Sequence, residues 1–528
     1  MKKHTIIILS AIAMASSCSF LDSYPQDVVT PDDYYTTTEE VENALRGVYA
    51  TLANSALYGG TMLSRMGLSA DIGFEGYAND YNGVGYNLVP ATDAFVRNYW
   101  MYWYQGIGNA NRLLENLEKA GLDEADYDRI KGEAIFLRAY FHYMLTVRFA
   151  NIPVVTSVPK TGNLEDVQIE QTPQEDVLKF IVSEMETASR LVLPASEVPC
   201  GGQVNKSAVW GILARVCLFA SGEPCRIEGM NEKAKSYARK VIDSGLHELN
   251  PDYKDVFMKY LTDEYDIKES ILEVEFYGNN TGSYNTLAGC VGQFNGIMFK
   301  NKNQNRDDIG ISSGHLVASG YLYDLYKDDD LRRDWNIADF LYDNDGNKVS
   351  PKDNWTRFCG KFRRECEAQS PKNATYTSIN FPLLRYSDVL LMYTESVICD
   401  PSATAAEQAD AMECINKVRR RAYGLPIGKA DADVDLTYKD KEQMMSEIMD
   451  ERARELAFEL LRKDDLVRWG KYYEQMKLVL NIIPASGTST YYTFARLYYG
   501  NVRQRDIVWP IPSYEISVNR KLVQNPGW

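Results

Sequence analysis

Histidine is scarce in this sequence, and its scarcity removes two classes of hydrolase. The chain of 528 residues has 4 histidines, of which His142, His247 and His315 lie beyond the first 17 residues. No HExxH motif occurs, so no zinc-hydrolase helix is expected. The GxSxG match at 310–314 follows polar residues instead of an apolar strand, and His315 lies too close to act as its base.

The chain also lacks an excess of positive charge, closely spaced cysteine pairs and long apolar runs. Lys and Arg total 57 against 73 Asp and Glu, whereas a general nucleic-acid binder needs clustered basic residues. The 9 cysteines form no CxxC pair, so zinc-ribbon spacing is absent. After residue 17, no apolar run approaches the ~20 residues that a membrane-spanning helix needs. What remains is an acidic globular chain with 45% hydrophobic residues.

The N-terminus has the layout of a bacterial signal peptide. Two lysines precede Ile6–Ala15, a run that is almost wholly apolar. Small residues and then Cys18 follow, which resembles the cleavage box of a lipoprotein. We expect residues 1–17 to be removed as a signal peptide, and Cys18 to hold the body, 18–528, to a membrane by acyl chains. Ordinary secretion, with Cys18 there by chance, is the alternative.

Most of the remaining sequence has the hydrophobic period of α-helices. In Lys206–Ser221, for example, apolar residues recur at i, i+3, i+4 and i+7. Such helices come in pairs across about 39–245 and 382–480, which favours about four tetratricopeptide-like helical hairpins. We predict a single, mainly α body with a long irregular, loop-rich insertion at 247–381 and an extended tail at 481–528.

Tyrosine is abundant, with 36 residues against 18 Phe. Tyr joins an apolar ring face to a polar hydroxyl, which suits wet binding surfaces. Two irregular stretches, Gly73–Pro90 and the insertion, contain Tyr among Gly and Asn, and this aromatic content argues against disorder. Loops on a rigid helical scaffold are therefore the expected place for a ligand.

Several separated motifs follow one another in the order of a known protein family. They are Phe20–Pro25, Glu133–Val155, Asn205–Val216, Leu384–Glu395, Asn416–Arg419, Glu451–Glu459, Asp465–Gly470, Trp509–Pro512 and Gln524–Trp528. Together they resemble the SusD/RagB family of outer-membrane nutrient-binding lipoproteins of Bacteroidetes. Leu384–Glu395 is the most diagnostic run, and the resemblance covers the whole mature chain.

This resemblance implies a fold, a location and a partner. Family members have four tetratricopeptide-like hairpins plus a less regular part, and they lie on the outer face of the outer membrane. They form a hinged lid on a SusC-like TonB-dependent β-barrel transporter, and they hold an oligosaccharide until it enters the barrel. The resemblance therefore implies non-catalytic glycan binding without a cofactor, with a structural calcium left open. Peptide import and glycoside hydrolysis are the alternatives.

The family site lies on loops after the early helices and in the irregular middle region, which correspond to Ser69–Pro90 and Phe276–Ser313. A sugar site needs flat aromatic rings for the sugar faces, and carboxylate, amide or Arg groups for the hydroxyls. Neither stretch contains Trp, so Tyr must supply the rings. For each residue, local loop packing is the alternative to ligand contact. The predicted ligand-binding residues are Asp71, Glu75, Tyr77, Tyr81, Tyr86, Tyr277, Asn280, Tyr284, Phe294 and Arg306.

The charged residues of the diagnostic motifs fall on helices with apolar neighbours, and we interpret them as ion pairs that tie hairpins together. Trp100 and Trp103 belong to a helix whose apolar face is expected to lie in the core. The motifs that carry the resemblance therefore do not locate the ligand. The predicted ion-pair residues are Arg385, Arg419, Glu451, Arg452, Arg454 and Glu455.

Overall fold

The computed structural model describes residues 34–77, 82–159, 164–282, 287–299, 301 and 306–528. The predicted signal peptide, Cys18, Tyr81 and Tyr284 lie outside the described residues. Within them the chain is mainly α-helical with a few short strands, which confirms the predicted fold class. None of the described helices combines the length and the apolar character that crossing a membrane requires.

The helices and strands of the described residues are as follows. The first seven helices are α1 (Thr38–Tyr49), α2 (Thr61–Arg65), α3 (Ala94–Asn116), α4 (Glu124–Phe149), α5 (Gln174–Leu191), α6 (Lys206–Ser221) and α7 (Met230–Asp243). The insertion contains α8 (Tyr253–Thr262), α9 (Val291–Asn295), α10 (Gly320–Leu325) and α11 (Arg333–Asn336). The last helices are α12 (Tyr386–Cys399), α13 (Ala405–Ala422), α14 (Lys441–Glu455), α15 (Arg462–Arg468), α16 (Tyr472–Ile482), α17 (Thr490–Asn501) and α18 (Ser513–Val518). The strands are β1 (Gly73–Glu75), β2 (Ser270–Val274), β3 (Leu316–Ala318), β4 (Leu341–Tyr342), β5 (Lys348–Val349) and β6 (Phe381–Arg385).

The long helices of the N-terminal half pack against their neighbours in sequence. Helix α4 lies between α3 and α5, α5 contacts α6, and α6 contacts α7. Every residue of α4 from Gly132 to Phe149 is buried, so this helix is the centre of the N-terminal core. Trp103 of α3 is fully buried, and its ring centroid lies 5.2 Å from that of Phe141. Trp100 is 3% exposed, which confirms that both Trp residues belong to the core.

Local sequence signals determine where the helices begin. Helix α6 has the predicted bounds because Asn205 caps it, with its Oδ1 accepting a 3.0 Å hydrogen bond from the Ala208 backbone N–H. Thr404 begins α13 in the same way, and Glu407 completes a reciprocal capping box. These caps satisfy backbone donors that the first helical turn leaves free.

The two halves of the body meet at α12, which contacts α6, α7, α13 and α14. This helix follows β6 directly, and β6 pairs antiparallel with β2 of the insertion. The junction residue Arg385 is buried, and its Nη1 lies 3.0 Å from both Glu269 and Glu455. A strand, two helices and the insertion therefore share one buried charge cluster.

The predicted ion pairs are confirmed, and they are buried. The carboxylate of Glu451 pairs with Arg332 at 2.6 Å, Arg454 at 2.9 Å and Arg419 at 3.2 Å. Arg452 pairs with Asp388 and Asp465, which joins α14 to α12 and α15. A buried ion pair is tolerated only where each charge has partners, and the charged side chains named here have them.

We expect Glu451 to make the protein sensitive to acid. Burial alone raises the pKa of Glu451, but Arg332, Arg454 and Arg419 outweigh it and lower this pKa to about 2. Since the folded pKa lies below the unfolded one, the carboxylate stabilises the fold above about pH 4.5, and this contribution is lost as the pH falls toward about 2. The difference in unfolding free energy between the wild type and Glu451→Gln should therefore shrink across that range. Urea unfolding at several pH values measures it, and a difference that stays constant would contradict this assignment.

The prediction of an extended tail is wrong for 490–501, which form α17. Tyr492, Tyr498 and Tyr499 recur at helical spacing and are buried, and α17 packs against β1. The aromatic content of this stretch reflects a helix face in the core. The insertion keeps its irregular character, since α8, with 10 residues, is the longest of its described helices and its strands are short.

Candidate ligand-binding site

A non-local strand pair builds the most promising site among the predicted residues. Strand β1 pairs antiparallel with β3, and Glu75 lies opposite Leu316. Directly beyond this pair, the Gly76 backbone N–H donates a 2.6 Å hydrogen bond to the His315 carbonyl. The pairing therefore brings the stretch Ser69–Pro90 against His315, which lies just beyond the stretch Phe276–Ser313.

Three aromatic rings form a stack at this junction. The centroids of Tyr77 and His315 lie 4.6 Å apart with an interplanar angle of 36°. The Phe294 ring meets the His315 imidazole edge-to-face, with the two centroids 5.2 Å apart. His315 is buried, whereas Tyr77 is 37% exposed. The stack thus holds one aromatic ring at the surface in a fixed orientation.

Charged groups lie beside the exposed ring. The Nε of Arg65 is 3.2 Å from Oε1 of Glu75, and the Arg65 guanidinium carbon is 5.9 Å from the Tyr77 ring centroid and 5.5 Å from that of Phe95. The Nδ1 of His315 lies 3.7 Å from the same Glu75 oxygen. One aromatic face, one guanidinium and one carboxylate are therefore presented together.

These groups line a cavity of about 300 Å³, which we name the Tyr77 cavity. Its lining includes Arg65, Glu75, Tyr77, Phe95 and the turn 83–86. Its volume is at the lower end of the range for small-molecule sites. The turn approaches closely because residue 85 is Gly, where a Cβ would lie 2.2 Å from Oε2 of Glu75.

Asp93 connects the Tyr77 cavity to the helical scaffold. One carboxylate oxygen accepts a 3.1 Å hydrogen bond from the Val84 backbone N–H. The other accepts hydrogen bonds from the backbone N–H groups of Phe95 and Val96 and so caps α3. The turn and the first residues of a long helix are therefore held by one side chain, which makes the cavity wall rigid.

Four of the predicted residues meet at this junction. Glu75, Tyr77 and Tyr86 line the Tyr77 cavity, and Phe294 supports it from the stack. Tyr86 is only 2% exposed and its ring meets Phe494, so most of its surface serves packing.

Asp71 requires a correction. Its side chain is fully buried, and Arg462 binds both of its carboxylate oxygens at 2.7 and 2.8 Å. No surface of Asp71 is left for a ligand in this arrangement, so the residue has a structural role.

The remaining predicted residues of the described chain do not line the Tyr77 cavity. Tyr277 is 67% exposed and forms a β-bridge with Leu287. Asn280 lies on the same exposed loop in a left-handed conformation. Arg306 pairs with Asp308 at 2.6 Å and donates to the Asp345 carbonyl at 2.7 Å, next to the turn that joins β4 and β5. Ligand contact by these three stays a prediction.

Sequence reasoning missed Arg65, Phe95, Asp93 and His315. Asp93 had a local signal, since an Asp directly before a helical pattern is a preferred cap. The other three had none. His315 reaches this junction through the pairing of β1 with β3, and Arg65 and Phe95 lie on the helices α2 and α3. His315 attracted attention only as a base for a hydrolase.

In the described part of the chain, no group of three His, Cys, Asp or Glu side chains is placed to hold a metal ion. The acidic run at 343–347, which has Asp at positions 343 and 345, forms a turn. Its Asp343 carboxylate accepts hydrogen bonds from the backbone N–H groups of Asp345 and Asn347 at 2.9 and 2.8 Å.

Comparison with known proteins identifies the family. Residues 322–528 match the profile described as "SusD family", and residues 19–218 match the profile described as "Starch-binding associating with outer membrane". The chain belongs to the SusD/RagB family. The two matched segments include the diagnostic run at α12 and the Tyr77 cavity residues, respectively.

SusD-like relatives match along nearly the whole chain. SusD-like protein P2 of Formosa agariphila is 24% identical over 100% of both chains. The starch-binding protein SusD of Bacteroides thetaiotaomicron is 24% identical over 82% of this chain and 79% of its own. The crystal structure of a SusD homolog from the same species superposes with a TM-score of 0.84 and 25% identity, over 94% of this chain and 98% of that one.

Proposed function

We propose that this protein binds oligosaccharides in the Tyr77 cavity without cleaving them and delivers them to a SusC-like TonB-dependent transporter, which it covers as a lid. One observation carries the binding part, namely that Tyr77 is exposed and held on His315 beside Arg65 and Glu75. Membership of the SusD/RagB family supports the delivery part. A relative named as a starch-binding protein supports a glycan as the ligand.

The Tyr77 cavity suits a sugar for physical reasons. The faces of a sugar ring carry apolar C–H groups that stack on an aromatic ring, and its edges carry hydroxyls. Arg65 donates hydrogen bonds and Glu75 accepts them, so both kinds of hydroxyl partner lie within reach of one ring. Because Arg65 and Glu75 neutralise each other, the cavity favours an uncharged sugar.

The place of action follows from the family and from the N-terminus. The profile matched by residues 19–218 is described as associating with the outer membrane, and a lipid on Cys18 would anchor the body there. We propose the cell surface as the location. Co-purification of the tagged protein with its transporter, from cells that carry either the wild type or Cys18→Ala, tests this part.

Calorimetry against a panel of neutral oligosaccharides, beginning with maltooligosaccharides, tests the binding part. We expect saturable binding without the release of reducing ends. Release of reducing ends would indicate a glycosidase. Binding of peptides and of no glycan would assign the protein to peptide import.

Tyr77→Ala should weaken oligosaccharide binding by about tenfold, since loss of an aromatic contact costs up to about 1.5 kcal/mol. The melting temperature should stay close to that of the wild type, because the ring is 37% exposed and leaves no buried void. Titration calorimetry and thermal unfolding of the same samples measure both quantities.

Tyr438→Ala is the matched control, because Tyr438 is 41% exposed and lies just before α14, outside the Tyr77 cavity. It should bind like the wild type. If the two variants lost the same affinity for oligosaccharide, or if Tyr77→Ala lost none, the ligand would bind elsewhere.

A further inference from the structure

A second and larger cavity lies between α1, α4 and β2. It has a volume of about 720 Å³ and shares no lining residue with the Tyr77 cavity. We name it the Glu273 cavity. Leu45, Leu52 and Val274 supply apolar walls, and Leu287, 46% exposed, lies at its edge. Of the predicted ligand-binding residues that the structure describes, none lines it. Its size is well within the range of small-molecule sites.

The floor of the Glu273 cavity contains a carboxyl without a partner. Glu273 is 3% exposed, and within the described part of the chain no cation pairs with it and no group donates a hydrogen bond to it. Its oxygens lie against Gly201, where a Cβ would be 1.9 Å from Oε1. A buried carboxyl is expensive to ionise unless it is paired, and the cavity leaves space beside Glu273 for such a partner.

The charges around Glu273 are of its own sign. Burial first, and then Glu275, Asp263 and Asp266, hold the pKa of Glu273 well above its ordinary value. A cation placed in the cavity would favour the ionised form and relieve this repulsion. The part of the cavity beside Glu273 therefore has the electrostatic character of a site for a positive group, whereas Arg46 and Arg129 line the part formed by α1 and α4.

The basic residue nearest to the other acids does not neutralise Glu273. Arg129 pairs with Glu42, with Asp126 at 3.0 Å and with Glu133 at 3.5 Å. Glu133 also accepts hydrogen bonds from Tyr49 at 2.6 Å and Gln203 at 2.9 Å. Glu42 and Glu133 therefore have partners, whereas Glu273 has neither a cation nor a hydrogen-bond donor among the described residues.

The chain's own N-terminal segment is a poor occupant. Between Cys18 and residue 33 it carries four Asp and no Lys or Arg, so its charge has the same sign as the cavity. A metal ion is equally unsuited, because no described group of three His, Cys, Asp or Glu side chains is placed to hold one. The remaining class is an organic cation with an apolar or hydroxylated body.

We propose that the Glu273 cavity is a second binding site, which receives the protonated amino group of an amino-sugar unit as the ion-pair partner of Glu273. The choice of a sugar as the carrier of the amine rests on the proposed function, whereas the need for a cation rests on the cavity alone. The apolar walls contact the faces of the sugar ring. The carboxyl groups of Glu273 and Glu275 bind the amino and hydroxyl groups at its edge.

Calorimetric titration of the purified full chain with glucosamine trimer and with its N-acetylated counterpart tests the proposal. The two probes share one skeleton, but the acetylated one carries no charge. We expect the amine to bind about tenfold or more tightly than the acetylated form, since a charge-assisted contact is lost on acetylation. Equal binding of the two probes would overturn the proposal.

Three variants assign the binding to a cavity. Glu273→Gln, which keeps the shape of the side chain, should lose the preference for the amine, and Tyr77→Ala should keep it. Glu365→Gln is the matched control, since burial also raises the pKa of Glu365 and it lines neither cavity. Amine binding that survives in Glu273→Gln, or that a lysine-containing peptide outcompetes, would overturn the site or its saccharide class.

The outcomes separate this proposal from the proposed function. Neutral glycans that bind through Tyr77, with no binding of the glucosamine trimer, would overturn only the second site. Amine binding that depends on Glu273, with no neutral glycan bound by the wild type, would support the cation site and contradict the role of the Tyr77 cavity.

Discussion

Glu455→Ala should lower the free energy of unfolding by about 3–5 kcal/mol, because it removes the shared partner of a buried charge cluster. Glu455 is fully buried and pairs with Arg421 at 2.7 Å, Arg385 at 3.0 Å and Arg332 at 3.1 Å. Each of these guanidinium groups is itself buried. Their attraction holds the pKa of Glu455 far below its ordinary value against the opposing effect of burial.

The loss should be larger than a surface ion pair could produce. Exposed pairs contribute about 0–1 kcal/mol, since water and salt screen them. Here the remaining Arg side chains cannot reach water after the substitution, so they keep a buried charge with too few acceptors. The effect should therefore appear as a global loss of stability in denaturant unfolding followed by circular dichroism.

Glu442→Ala provides the control on the same helix. Glu442 lies in the exposed first turn of α14, so its loss should change stability by less than about 1 kcal/mol. If the two variants unfold at the same denaturant concentration, the cluster does not stabilise the fold, and its role is limited to specifying how the elements meet.

Features that depend on neighbours in sequence were predictable. The bounds of α6 follow from the apolar period of Lys206–Ser221 and from the capping residue Asn205. The charged residues of the diagnostic motifs were identified as ion pairs because acids and bases on apolar helix faces need partners. Some of their partners, such as Glu269 for Arg385, lie far away in sequence and could not be predicted.

Features that depend on distant contacts were missed for the same reason. Strands β1 and β3 have three residues each, which is too short for a clear alternating pattern, so nothing placed His315 against Tyr77. The Glu273 cavity is lined mainly by helices and a strand, whereas the sequence favoured loops as the place for a ligand. An extended tail is predicted from the sequence for the segment that contains the C-terminal tyrosines, although their spacing fits one face of α17.

Asp71 shows how a loop carboxylate can mislead. In sequence it lies among the residues that were expected to bind sugar, yet its partner Arg462 is 391 positions away. The bidentate ion pair between Asp71 and Arg462 holds the segment before β1 against α15. Ser319, which follows β3, holds the same segment by donating a 2.6 Å hydrogen bond to the Asp71 carbonyl.

Asp71→Ala should therefore lower the unfolding free energy by about 3–5 kcal/mol, because it leaves the buried Arg462 without its carboxylate. The folded fraction should bind oligosaccharide with close to wild-type affinity, since Asp71 itself is 0% exposed. Tyr77→Ala should show the reverse, with weaker binding and unchanged stability. Thermal unfolding and calorimetry of both variants, in parallel, separate the two roles. If Asp71→Ala melted like the wild type and bound oligosaccharide weakly, the carboxylate would be a ligand contact, and the structural role given to its pair with Arg462 would be wrong.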